Sequence, residues 1–126
     1  LKLRIQGNSL RFRLSRSDLA TLVDAGSLEA TIYFGRQESE KLAYLLAHES
    51  SQAVEVRCTP QRLMVVLPSD AVRIWSATGQ VGISAEVDLG LRGTLSVLVE
   101  KDFACLDRGA EANADTFDHP LAAHVC

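Results

Sequence analysis

From residue 2 to residue 14 apolar and polar side chains alternate, KLRIQGNSLRFRL, with Gly7 and Asn8 in the middle. A period of two with a tight-turn pair at its centre predicts two half-buried strands joined as a hairpin. The next stretch, SRSDLATLVDAG, changes period: Ser and Asp precede an apolar spacing of three and four, and Gly26 supplies the left-handed position that ends a helix. Leu19, Leu22 and Val23 make its apolar face. LEATIYF and KLAYLLAHE then return to strand patterns, joined by a polar connection that contains Gly35.

The same pattern comes round again 53 residues later without a gap. Arg4 falls on Arg57, Leu10 on Leu63, Leu14 on Leu67, Gly26 on Gly79, Leu42 on Leu95 and Leu45 on Leu98. EVRCTPQRLMVVL repeats the hairpin around Pro60, and PSDAVRIWSATG repeats the helix with Ala71, Val72 and Trp75 on its apolar face and Gly79 at its end. VGISAEV and TLSVLVEKD repeat the closing strands around Gly90. The reading is one α+β domain of two tandem ββαββ units, residues 1–50 and 54–103, followed by a polar tail at 104–126. Two such units would most economically pair about a pseudo-two-fold axis into one antiparallel sheet or a partly closed barrel, its two short helices plugging the ends or covering a face. The core expected is Leu10, Phe12 and Leu14 with Leu63, Val65 and Leu67, and Trp75 among the most buried residues. Met64 and Cys58 are expected inside as well, and His48 at the rim of a strand.

Composition adds limits. At 126 residues with 47% hydrophobic and 23% charged side chains, the chain can bury a core without staples. It has neither an apolar run of the ~18 residues a spanning helix needs nor a secretory leader pattern, so a cytoplasmic protein with no membrane partner is expected. Three cysteines exclude a fully paired disulfide framework. The formal net charge of −3 hides an uneven distribution. Residues 1–16 hold Lys2, Arg4, Arg11, Arg13 and Arg16 with no acid, whereas residues 107–126 hold Asp107, Glu111, Asp115 and Asp118 against Arg108. Docking of the acidic tail over the basic hairpin follows as an expectation.

Two groups of residues carry candidate chemistry. Lys2, Arg4, Arg11 and Arg13 fall on one face of the first hairpin, where four cations could hold a phosphate or a carboxylate. The bland alternative is a solvated strand face that discourages edge pairing. Nucleic acid is argued against by a pI near 5.6 and by the lack of aromatics on that face. In the tail, Cys105, His119, His124 and Cys126 form a Cys2His2 set with zinc as the fitting metal, although the close cysteine pair that opens most structural zinc sites is missing. A Cys105–Cys126 redox pair, a thiolate–imidazole pair and a merely packing tail are the alternatives. No phosphate-binding loop, nucleophile elbow or dinucleotide fingerprint occurs, so no other cofactor is expected.

KLRIQGNSLRFRL at the start, VEKDFACLD at 99–107, and DTFDHP in a tail closing on a cysteine resemble a small bacterial protein family of unknown function. The resemblance implies no activity, cofactor or partner. It includes cysteines at Cys105 and Cys126 but often asparagine at the position of His119, which weakens any role that needs the imidazole. One repeat, LMVVLPSDAVRIWSATGQVGISAEV, also resembles the strand, helix and strand of swapped-hairpin DNA-binding regulators and antitoxins. The leading functional reading is a small binding or interaction module without catalysis, taking a protein partner or an anionic ligand. A Cys/His- or metal-dependent enzyme and a DNA-binding regulator are the alternatives.

Overall fold

A computed structural model describes residues 1–104 and 114–118. The element order is β1 (Lys2–Gln6), β2 (Ser9–Leu14), α1 (Arg16–Ala25), β3 (Ser27–Tyr33), β4 (Lys41–Glu49), then β5 (Glu55–Thr59), β6 (Arg62–Pro68), α2 (Ser69–Ala77), β7 (Gly82–Asp88) and β8 (Thr94–Lys101). A single 3-10 turn, Gly90–Arg92, lies between the last two strands. The fold is α+β with two helices and two four-stranded sheets, ordered β1-β2-β8-β7 and β3-β4-β6-β5, and the described residues form no closed barrel.

The expected antiparallel arrangement needs correction. The hairpin pairs are antiparallel, but the two inner pairs, β2 with β8 and β4 with β6, are parallel. The physical reason is the helix after each first hairpin. It carries the chain away from β2 or β6 to the other sheet, so the neighbour of each inner strand must come from the other half of the chain. Each sheet therefore joins one hairpin from each half, and a single continuous sheet cannot form.

The inner faces of both sheets meet over one core with the helices. Leu10, Phe12 and Leu14 of β2, Val97 and Val99 of β8, Leu46 of β4, and Val65 and Leu67 of β6 pack with Leu19 and Leu22 of α1 and Val72 and Trp75 of α2. Trp75 is fully buried, and its indole N–H donates to the carbonyl of Val81 at 3.1 Å. Full burial of Phe12 or Trp75 stabilises the fold by about 2–3 kcal/mol each. Leu63 is only half-buried, and Val23 is exposed. Cys58 is exposed and free, contrary to expectation, because β5 is an edge strand with one side of its backbone uncovered. Met64 lies half-buried on the outer face of the second sheet, beside the buried Val66 and Leu45.

An offset of 53 residues carries the register of most strands. Arg13 lies beside Glu100 in the first sheet as Val66 lies beside Ala47 in the second, and Lys2 faces Arg13 as Glu55 faces Val66. The exception is β7. Ser27 of β3 pairs with Ala47, but Gly82, not Gln80, pairs with Glu100, so the connection from α2 to β7 is longer by two residues. This explains why the two helix ends differ. Gly26 caps α1 in the left-handed region at φ 86°, its N–H bonded to the carbonyl of Leu22, whereas α2 stops at an extended Thr78 and Gly79 has no positive φ. The reading of Gly79 as a left-handed stop is thereby corrected.

A pair of substitutions separates the two glycines. Gly26→Ala forces a side chain into the left-handed region and is expected to lower unfolding free energy by about 1 kcal/mol or more. Gly79→Ala meets no atom within 4 Å and is expected to be neutral or slightly stabilising in chemical denaturation.

Candidate functional site

The register of β1 and β2 sets Lys2 opposite Arg13 and Arg4 opposite Arg11. All four cations therefore project from one face, the outer face of the first sheet, because the intervening Leu3, Leu10 and Phe12 turn to the core. The parallel neighbour β8 brings Glu100 beside Arg13 on that same face. Glu100 is buried, and one of its oxygens, Oε1, accepts from Arg11 Nε at 2.6 Å and Arg13 Nε at 2.9 Å. One residue past the end of the strand, Asp102 accepts from Lys2 Nζ at 3.0 Å. Gly82 of β7 faces Glu100, and a Cβ there would come within 2.5 Å of the Val99 carbonyl, so the sheet closes tightly behind the carboxylate.

At the β1–β2 side of the face four positive groups thus meet two carboxylates, a local charge of +2, while Glu86 and Asp88 lie on β7 at the opposite edge of the same face. Arg4 is the one of the four without a carboxylate partner among the described residues. Both arginines on Glu100 use only Nε, so their terminal N–H groups stay available, which is the fork geometry that takes carboxylate or phosphate oxygens. Lys2, Leu3, Arg4, Arg11 and Arg13 line a hollow of about 150 Å³, enough for one small anionic group.

The zinc set proposed from sequence, Cys105, His119, His124 and Cys126, lies outside the described residues. Among those that are described, no cluster of three or more His, Cys, Asp or Glu could hold a metal. The described part of the tail docks elsewhere than on the basic face. Asp115 sits at the start of α1, where its carbonyl accepts from the Arg16 N–H at 3.0 Å, its Oδ1 accepts from the Ser17 N–H at 3.2 Å, and its Oδ2 accepts from the Ser17 hydroxyl. Ser15 caps the same helix, in a reciprocal pair with Asp18. The two serines, Ser17 foremost, hold the Asp115 carboxyl below its ordinary value of 3.8.

A second cluster was not visible in the sequence. Lys101, the last residue of β8, is buried, and its Nζ donates to the carbonyl of Thr78 at 2.7 Å. That carbonyl belongs to the C-cap residue of α2. Phe117 pairs edge-on with Phe103 at 6.3 Å and lies under both Lys101 Nζ, 5.3 Å from the ring centre, and the Arg16 guanidinium, 4.9 Å from it. Burial, then the nearby Arg16 charge, pushes the Lys101 ammonium below its ordinary value. A Lys in a strand ending VEK gives no hint of this, since its burial depends on the return of residues 114–118. In the other half, His48 holds the matching strand position and bonds through Nδ1 to Ser69 Oγ at 2.8 Å, with Nε2 buried and unpaired; it is more enclosed than a rim residue.

Over residues 1–121 the chain matches the model of a family of unknown function, DUF7009, and it belongs to that family. No curated protein and no solved structure matches it.

The Asp115 geometry makes a pH prediction. A carboxyl with a lowered folded value adds stability that is fully present above its unfolded value of 3.8 and is lost as pH falls through the lower folded value. The Phe117 ring signals in an NMR titration are therefore expected to hold steady from pH 7 to about 4 and to shift only below it. Asp115→Asn should weaken the docking already at pH 7, and a Phe117 transition above pH 4 in the unmodified chain would contradict this account.

Proposed function

We propose, for this member of a family of unknown function, a non-catalytic binding module built from two copies of a ββαββ unit, whose working surface is the basic outer face of the first sheet. The ligand class is a group with two or more anionic oxygens, a phosphate or paired carboxylates, seated on Arg4 and the free edges of Arg11 and Arg13, with Lys2 at the rim. One observation carries this reading. The second sheet has the same strand order and central register but places Met64, Val66 and Ala47 where the first has Arg11, Arg13 and Glu100. A fold that tolerates an apolar set at these positions does not require the charged one, which leaves ligand binding as the reason for it.

The duplicated unit is supported by the matching element order and by the shared register of the first hairpins and inner pairs. An exposed free thiol at Cys58 suits the reducing cytoplasm in which we place the module. No helix among the described residues is long and apolar enough to cross a membrane. The DNA-binding alternative is less well supported, because the basic face bears no aromatic side chain on which bases could stack. The tail-based enzyme or metal readings rest on residues outside the described ones.

Titration with pyrophosphate at low salt, followed by backbone NMR, tests the reading. Saturable shifts are expected on β1 and β2, and Arg4→Ala should weaken binding about tenfold, the scale of one charge-assisted contact. Higher salt should weaken it further. Absence of saturable shifts on these strands, or an unchanged affinity in Arg4→Ala, would refute it.

A further inference from the structure

The residue that departs furthest from ordinary economy in this fold is Lys101. Only 6% of its surface is exposed, yet no carboxylate among the described residues pairs with it; its partners are one backbone carbonyl and one aromatic face. The neighbouring Arg16 is exposed, but it too has no carboxylate partner among the described residues. Its Nε is held by the Thr116 carbonyl at 3.0 Å, and its guanidinium lies over the same Phe117 ring. Two cations bracketing one ring repel each other, and burial adds to the cost of the lysine's charge. The bond to Thr78, the C-cap of α2, offsets part of that cost, because a cation is favoured at the end of a helix, but it uses a single one of the ammonium protons.

Donor capacity remains on both groups. Of the three ammonium protons on Lys101 one is used, and the terminal nitrogens of Arg16 have no acceptor among the described residues. Both side chains line a hollow of about 350 Å³ together with Thr78, Gly79, Phe103 and Phe117. That size falls in the range of small-molecule sites. Asp118 also borders it but forms no ion pair with either cation. Arg16 and Phe117 are shared with a second hollow of about 430 Å³ between the helices, whose wall is mostly apolar, with Leu19, Ala20, Val23 and Ala77, and carries Asp24 and Ser76 as well. The hollow at Lys101 lies where the chain breaks its own pattern, at the longer connection between α2 and β7, which supplies the carbonyl of Thr78 and leaves Gly79 without a side chain in the wall.

We propose that the hollow beside the Phe103–Phe117 pair binds a small organic carboxylate with a flat apolar body, its charge held by Lys101 and Arg16 and its body lying along Phe117 towards the groove between the helices. This site is separate from the basic outer face, since Lys101 and Glu100 are successive residues of β8 and point to opposite sides of the sheet. Its chemistry also differs: the outer face offers four cations and no ring, whereas the hollow at Lys101 offers two cations beside an aromatic pair, with Asp118 at its border, which selects against a compact, multiply charged phosphate.

Benzoate is the probe, with benzamide and inorganic phosphate as comparisons, each titrated into the full chain and followed by NMR of the Phe103 and Phe117 rings and the Lys101 backbone amide. Benzoate is expected to give saturable shifts there. Benzamide, of the same shape without the charge, and phosphate, with charge but no apolar body, should bind at least about tenfold more weakly, the loss of one charge-assisted contact or of the ring contact. Lys101→Met should lower benzoate affinity by about tenfold or more while melting at the same or a higher temperature, which separates lost binding from lost folding. Arg4→Ala should leave benzoate affinity unchanged, so failure of the outer-face reading and failure of this one are distinguishable. No saturable benzoate shift, equal binding of benzamide, phosphate binding here as well as benzoate, or unchanged affinity in Lys101→Met would overturn the proposal.

Discussion

The parallel pairing of β2 with β8, matched by β4 with β6, is the constraint from which the rest of the molecule follows. It joins segments more than eighty residues apart in the first sheet, so the chain meets a large loop-closure cost before any of that sheet's core is formed. The return is a contact between Phe12 and Leu14 and the apolar run of β8 that removes most of both strands from water. The same pairing fixes the chemistry. It puts Glu100 beside Arg13, leads Asp102 to Lys2, and delivers Lys101 to the far side of the sheet.

Much of this architecture could be read from the residues, and the exceptions have physical causes. Alternation around Gly7 and Asn8 announces the first hairpin, and with it the common face of Lys2, Arg4, Arg11 and Arg13, because side-chain direction in a strand is a local property. Gly26 and the Ser15–Asp18 box are equally local signals of a helix and its ends. Parallel pairing is not local. Nothing in the pattern of β2 distinguishes an antiparallel neighbour from a parallel one, so the sheet's mixed character had to come from the structure. Gly79 misleads because the repeat offset, which holds for β6 and β8, fails by two residues from the connection where it lies through β7. Cys58 misleads because alternation reports which face a residue occupies but not whether its strand is an edge. Lys101 carries no signal at all, since its burial arises from a segment that returns from beyond the last strand.

Comparison of the two sheets within one chain gives the functional argument its force. The register that sets Arg13 beside Glu100 sets Val66 beside Ala47, in strands of the same order. Strand order and central register stay alike while the chemistry changes. The charged triad of Arg11, Arg13 and Glu100 carries the desolvation cost of a mostly buried carboxylate, and an apolar set at the equivalent positions avoids it. The second sheet keeps charge at the margin of its outer face, where Arg57 pairs with Glu49 and Glu55, but not at the three central positions. A charged centre kept in one sheet and replaced in the other is what a binding surface on one side of the molecule would look like.

The most direct measurement transplants one sheet's outer face onto the other. A chain carrying Arg11→Met, Arg13→Val and Glu100→Ala has, at these positions, the residues that the second sheet uses at the matching ones. Its thermal unfolding and its pyrophosphate affinity are measured side by side. The account predicts a folded protein whose midpoint is equal to or above that of the unmodified chain and whose affinity has fallen by tenfold or more, on the order of 1.4 kcal/mol. A variant that unfolds, or one that folds and binds pyrophosphate as before, would contradict it.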